Sequence, residues 1–414
     1  MKKKVEDVLR CGLALCLLCG CDLIGSTGLP DLTRAERDII RRREGQEEQE
    51  EREDDPEQGP EVLWISGVEY PEGYDWQRDT AYGQVEARIV VLRDGVRTLE
   101  IPTGERQEVS TDPDMHRLIG GHLYTDYSSG SETVIRRDGQ ELFRFGGREM
   151  IVGFLVRGET VWTLGVNRAT GKGPVLRRNG EPVFSDPDGL LPPGFGNKAF
   201  EGGLLHLDGE EMFFFYRSGQ GWFRVRDRFA EPISLPSELS AVHDIRRIGG
   251  KTVIAGSTAG QPLVLSQDGV LRTCSASGAA VRNIALVPSG ASSFFIKGEM
   301  VRSGGVTPTV WTQDGTVRVS ASGNVLDFYL EEGYAAYLSS GADGIPTRYV
   351  KDGVGFAISG RNHFISRHCA LLQDGIFYLL LTPTDRTASP FLLKDGVRQD
   401  IPVGGYLTGI SLTR

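Results

Sequence analysis

One short phrase, a β-prone run ending in Asp-Gly or Asn-Gly, appears seven times after residue 60 and leaves the chain few folds to choose from. It reads Val91-Leu92-Arg93-Asp94-Gly95 first, and its glycine returns as Gly139, Gly180 (after Asn179), Gly269, Gly315, Gly353 and Gly396. A type I′ turn needs φ > 0 at both central residues, so Asp-Gly or Asn-Gly between β-prone runs is a strong hairpin signal. The glycine-to-glycine steps are 44, 41, 89, 46, 38 and 43 residues, and the long one is about two periods. A concealed copy is therefore expected near Asp227. Units of roughly 40–45 residues with four short strands each are the signature of a β-propeller blade.

The third unit shows the pattern: strand a over 150–156, a turn at Gly158, strand b over 160–166, strand c over 174–178, Asn179-Gly180, and strand d over 182–185. Pro174, Pro262, Pro308, Pro346 and Pro390 each open a strand c, where a missing N–H leaves the ladder intact. The fourth unit is the irregular one, with Asp227-Arg228 in place of Asp-Gly. The first unit opens at Val62 on a strand b and lacks a strand a, while Tyr406 to Leu412 matches a strand a with nothing after it. The C-terminal strand is expected to complete the N-terminal blade, closing the ring and removing an exposed edge. The reading is all-β: an eight-bladed propeller over residues 62–414, with seven blades as the alternative if the fourth unit is misparsed.

Residues 1–20 read as a lipoprotein signal peptide: Lys2-Lys3-Lys4, then the apolar run Leu13 to Leu18, too short to span a bilayer, then Leu18-Cys19-Gly20-Cys21. The last four residues resemble a bacterial lipobox, which implies lipidation of Cys21 and a membrane anchor. Residues 21–61 form the lipidated Cys and a charged tether, with the run Glu44 to Glu61 too polar and acidic to repay its ordering entropy. Cleavage leaves Cys274 and Cys369 in the body, on blades too far apart for a disulfide, so two buried thiols are expected. The formal charge of −10, with no basic stripe, argues against nucleic acid as a partner.

The strand-Asp/Asn-Gly hairpins, notably Tyr349-Val350-Lys351-Asp352-Gly353 and Trp311-Thr312-Gln313-Asp314-Gly315, also resemble a propeller repeat of Bacteroidota lipoproteins. The resemblance spans residues 62–414 and implies fold and compartment, namely the cell envelope with the outer membrane or cell surface as the place of anchoring. It implies no activity.

In a blade the a–b and c–d turns share one end, and the b–c and d–a loops share the other. Length variation falls on the second set: Tyr70 to Gln84, Pro102 to Pro113, Asn167 to Gly173, Ser185 to Asn197, Lys297 to Gly305 and Thr382 to Ser389. Variable loops on a rigid scaffold are where binding residues gather. The candidate ligand-binding residues are Tyr70, Tyr74, Trp76 and Tyr82, aromatics suited either to stacking on a sugar or protein partner or to plugging their own loop. Candidate channel-lining residues on the inner strands are Asp244, Arg246, Asp327 and Arg367, beside Glu201, His243, Arg282, Asn283 and His368. No Ser elbow, phosphate loop or metal-ligand spacing is present, so no catalytic residue, metal or cofactor is assigned. The expected function is a non-enzymatic, monomeric binding module for a glycan, peptide or protein. The alternative is a carbohydrate hydrolase or lyase working through Asp244 and Asp327.

Overall fold

The structure, a computed structural model, describes residues 61–76, 85–104, 110–129, 131–147, 149–192, 204–208, 211–219, 221–274, 279–321, 323–385 and 387–413. The chain divides into two units, Met1–Pro60 and Glu61–Arg414, and the described residues all belong to the second. Cys21, the signal segment and the acidic tether lie outside them, as do Tyr82 and Glu201.

The second unit is an eight-bladed β-propeller. Eight antiparallel sheets follow one another, seven of four strands, while the eighth counts five because its inner strand is broken in two. Closure is by the C-terminal strand: Gly405–Thr413 pairs with Val62–Glu69 from Val62↔Thr413 to Glu69↔Gly405 and supplies the missing inner strand of blade 1. The two backbones meet too closely for side chains at one point. A Cβ on Gly405 would lie 2.0 Å from the Val68 carbonyl oxygen, and one on Gly67 would lie 2.9 Å from that of Tyr406. Ser66 and Thr408 add a hydroxyl–hydroxyl bond of 2.9 Å across the same seam, and Trp64 Nε1 donates to Thr413 Oγ1 at 2.9 Å.

The recurring turn does more than reverse the chain. Asp94, Asp138, Asn179, Asp227, Asp268, Asp352 and Asp395 sit at φ between 44° and 54°. In six of these blades the side-chain oxygen also accepts the N–H of a strand-b residue: Leu63 (2.9 Å), Leu123 (2.9 Å), Val161 (2.8 Å), Thr252 (3.3 Å), Ala335 (3.0 Å) and Phe377 (3.0 Å). The turn's own N–H donates back to the carbonyl of that same residue, for example Asp94 N to Leu63 O at 2.8 Å. Only a short side chain that tolerates the left-handed region and carries an acceptor does both. Hence Asp or Asn recurs, and blade 3 makes the bond with Asn179. Blade 4 keeps the backbone half of the motif through Asp227, whose N–H donates to Met212 O at 3.0 Å.

Blade 6 departs from expectation in two places. Asp314 is not in the left-handed region. Its turn is wider, with Trp311 paired to Val317 and Asp314 accepting from Thr316 N at 3.0 Å. Residues 297–305 are not a loop either: Phe294–Arg302 and Gly305–Thr312 run as one long hairpin, Lys297↔Val310 to Arg302↔Gly305. β-Branched and apolar residues on both arms, including Val301, Val306 and Thr307, let the ladder continue past the blade. Pro308 consequently lies inside strand c, opposite Glu299, rather than at its start.

The apolar cores lie between neighbouring blades. One cluster joins Leu265 and Val253 of blade 5 to Leu286 and Trp311 of blade 6; another joins Tyr378 and Leu392 of blade 8 to Val90 and Leu407 of blade 1. Cys274 and Cys369 are both buried and unbridged, as expected, although Cys369 stands in a 3₁₀ turn, Arg367–Cys369, rather than on a strand.

Replacing Asp94 with Ala removes the bond to Leu63 N and forces a Cβ-bearing residue without a local acceptor to φ 50°. The cost expected is about 2 kcal/mol. Asp94→Asn should remain close to wild type. Urea unfolding of both variants checks this, and equal loss in the two would show that the side-chain acceptor is immaterial.

Candidate functional site

The inner strands of several blades carry a β-bulge, and it decides where the inner-strand carboxylates point. Register shifts by one residue between Val242 and Asp244 in blade 5 and between Val325 and Asp327 in blade 7, with similar shifts in blades 1, 3 and 6. A bulge bends the strand and re-aims the next side chain. Both aspartates fold back onto the chain: Asp244 accepts from Ile245 N at 2.9 Å and Asp327 from Phe328 N at 2.8 Å.

Each then reaches a neighbouring blade. Asp244, with no exposed surface, accepts from Leu286 N of blade 6 at 2.8 Å and pairs with buried Arg246 at 3.5 Å. Asp327, 7% exposed, takes Lys297 Nζ of blade 6 at 2.7 Å and Arg367 Nε of blade 8 at 3.5 Å. Asp244 and Arg246 thus form a buried pair of blade 5 that reaches blade 6 through Leu286 N, and Asp327 ties blade 7 to Lys297 of blade 6 and partly exposed Arg367 of blade 8. The structure does not bring the two aspartates into one open site. His206, also buried, is pushed down to about 3 by desolvation and by the Arg246 charge, and its Nε2 accepts from Arg247 N at 3.1 Å. His368 is held down at about 4 by burial and the nearby Arg117. Among the described residues no group of three or more His, Cys, Asp or Glu is arranged to hold a metal.

The aromatic loop after strand b of blade 1 lies differently. A turn with Tyr74 N donating to Pro71 O at 3.1 Å and Gly73 at φ 84° folds Tyr74 back onto Tyr70, ring centroids 4.9 Å apart. Trp76 packs against Tyr406 of the closing strand at 4.9 Å and presents an edge-on contact to His363 at 6.0 Å. Tyr406 is buried and fixed by its hydroxyl, which donates to Thr111 O at 2.7 Å. The three loop aromatics remain half-buried. Tyr70 and Trp76 form a wall shared by two clefts, and both are anchored on Tyr406, which the sequence marks only as part of the closing strand.

The first cleft, about 580 Å3, has Tyr70, Tyr74 and Trp76 on one side and Thr387, Ser389 and Pro390 of the blade 8 loop on the other. That loop is held by Asp385, which accepts from Thr387 N at 3.0 Å and Thr387 Oγ1 at 2.8 Å. Glu69, at its rim, is bound to Arg97, which also bonds Glu100 at 2.9 Å. The second cleft, about 570 Å3, lies on the inner side and runs between Trp76, Tyr406, Ile365 and the Ser110–Pro113 segment. The Ile365 wall comes from the break in the blade 8 inner strand between Asn362–His363 and Ala370–Gln373. No motif in the sequence marks that excursion. Asp114 sits beside it, bonded by Ser366 at 3.4 Å, with its carboxyl raised above the usual range by burial.

No protein-family model matches the sequence, and no curated protein matches it. Among solved structures, the chain is similar to the β-propeller domain of the Trilobed protease from Pyrococcus furiosus (11% identity, 71% of this chain and 91% of that one, TM-score 0.42). It is also similar to the acylaminoacyl peptidase of Pyrococcus horikoshii (12%, TM-score 0.43), covering 80% of this chain and spanning 57% of that one. Hsv2 of Kluyveromyces lactis gives 11% identity over 68% of this chain and 96% of that one, with a TM-score of 0.38. At these identities and scores none of the three bears on what the clefts bind.

Asp244→Ala leaves the Arg246 charge buried without its carboxylate and Leu286 N without its acceptor, so it should lower stability by about 3–5 kcal/mol. Denaturant unfolding measures it. A ligand-binding role for Asp244 would instead show as lost binding with stability unchanged.

Proposed function

We propose that the propeller is a non-enzymatic recognition module and that the cleft walled by Tyr70, Tyr74 and Trp76 receives a short carbohydrate segment. One observation carries the reading: three half-buried aromatic rings are presented on the variable-loop end of a rigid ring, opposite hydroxyl-bearing Thr387 and Ser389, around a space of about 580 Å3. Sugar rings offer apolar C–H faces to stack on aromatics and hydroxyls to bond at the edge, and the size is that of small-molecule and cofactor sites. A hydrolase working through Asp244 and Asp327 has less support, since both carboxylates are buried and engaged with neighbouring blades.

A glycan-array screen of the full chain tests it. Tyr74 is a half-buried loop residue stacked on Tyr70, so Tyr74→Ala should keep the fold and weaken the recognised glycan at least tenfold, about 1.4 kcal/mol. Trp76→Ala should lose binding and also stability, because Trp76 packs on Tyr406. Retained affinity in Tyr74→Ala, or no glycan bound by wild type, would sink the proposal.

The reading extends to the chain's beginning: the module is held on a bacterial envelope by lipid on Cys21, supported by the Leu18-Cys19-Gly20-Cys21 sequence behind its apolar run. Metabolic labelling with a radioactive fatty acid in a bacterial host should mark wild type and not Cys21→Ser. Equal labelling of the two would place the lipid elsewhere.

A further inference from the structure

Blade 4 breaks the repeat's turn rule, and the break changes the surface at the opposite end of the ring from the aromatic clefts. Where the other blades mostly have Gly followed by Val, Thr, Gln or Glu, this one has Arg228 and Phe229. Asp227 alone takes the left-handed conformation, at φ 54°, and Arg226 pairs with Phe229 across the hairpin. The substitution costs blade 4 the glycine its turn would prefer. In return it sets a guanidinium and a phenyl ring at the mouth of the groove between blades 3 and 4.

That groove measures about 690 Å3. Its apolar surface comes from Trp162 and Val183 of blade 3 and from Leu207, Met212 and Phe229 of blade 4. Leu207 is 39% exposed and Phe229 58%, in a ring whose Trp311, Tyr349, Phe213 and Phe214 are fully buried. The inner strand of blade 4 is only three residues long, His206–Asp208, against eight to ten in blades 3, 5, 6 and 7.

The charge in the groove runs against the charge of the molecule. Arg178 lies over the Trp162 ring, its guanidinium carbon 5.6 Å from the centroid, and Arg228 lies over Phe229 at 5.0 Å. Nearby arginines are matched to carboxylates: Arg137 to Glu159, Arg144 to Glu132, Arg226 to Glu211. Arg178 and Arg228 have no carboxylate within ion-pair distance among the described residues. Two cations resting on aromatic faces, beside open apolar surface, in a chain of formal charge −10, make a site for a ligand that is both acidic and apolar.

We propose that the groove between blades 3 and 4 docks an acidic peptide segment from a partner protein, its carboxylates on Arg178 and Arg228 and its apolar side chains over Trp162, Leu207 and Phe229. The pairing is of Arg forks with carboxylates, geometrically suited to bidentate bonds, at a surface where burying Phe229 supplies the apolar gain. This site is independent of the aromatic clefts.

The test is fluorescence anisotropy with a labelled synthetic peptide of alternating Glu and Leu, its Lys and Leu counterpart, and the full chain. The Glu–Leu peptide should bind saturably, weaken with added salt, and bind at least tenfold less to the Arg178→Glu, Arg228→Glu double variant. Phe229→Ala should weaken it while Tyr74→Ala leaves it unchanged. Both arginines are exposed, so the double variant is expected to melt with wild type; if it does not, Arg178→Gln with Arg228→Gln gives the same reading with less repulsion. No saturable binding, equal binding of the Lys–Leu peptide, or unchanged affinity in the folded double variant overturns the proposal. So does binding lost in Tyr74→Ala, which would place the peptide in the other face's cleft.

Discussion

The bond from the turn aspartate to the strand beside it is what the rest of the ring depends on. A left-handed Asp or Asn donates its N–H to one residue of strand b and accepts that residue's N–H on its side chain, as Asp138 does with Leu123 at 2.8 and 2.9 Å. The contact spans 15 residues within the blade and fixes the c–d hairpin against the strand that carries most of the core. Once it is made, the apolar faces of strands b and c, such as Leu123 and Ile135 in blade 2, are presented to the neighbouring blade. Blade geometry follows from local chemistry repeated, and packing between blades then supplies the stability that no single four-stranded sheet has.

Closure is the second constraint. A ring of sheets leaves one edge at each chain end, and the Gly405–Thr413 strand removes both at once. The close approach at Gly67 and Gly405 and the hydroxyl pair Ser66–Thr408 set the seam's register. The aromatic clefts grow out of that seam, since Tyr406 on the closing strand is the surface on which Tyr70 and Trp76 pack. Part of the candidate site is thus built from the two most distant ends of the propeller sequence.

Polar residues on the inner strands serve assembly. The bulges at Val242–Asp244 and Val325–Asp327 turn carboxylates toward adjacent blades, where Leu286 N, Lys297 and Arg367 receive them. A buried carboxylate persists only when its bonds are made, and here several partners are supplied by other repeats. Departures from the repeat carry the variation instead: the broken inner strand of blade 8 at the clefts, and Arg228-Phe229 at the blade 3–4 groove.

The sequence by itself determined strand order within the repeat and pointed to closure by the C-terminal strand, because Asp-Gly turns and alternating runs are local signals with a fixed period. The choice of eight blades over seven fell to the structure, where the fourth unit forms a full sheet. It also marked the aromatic loop and the irregular fourth unit. Tertiary structure alone decided the direction of Asp244 and Asp327, since a one-residue bulge reverses a side chain and leaves no trace in composition. It alone carried the blade 6 strands through residues 297–305, where cross-strand pairing outweighed a Gly-containing stretch that reads as a loop. And it alone brought Tyr406 beneath Trp76, and Arg178 and Arg228 to one groove, because these pairs come from different repeats that only ring closure and blade packing bring together.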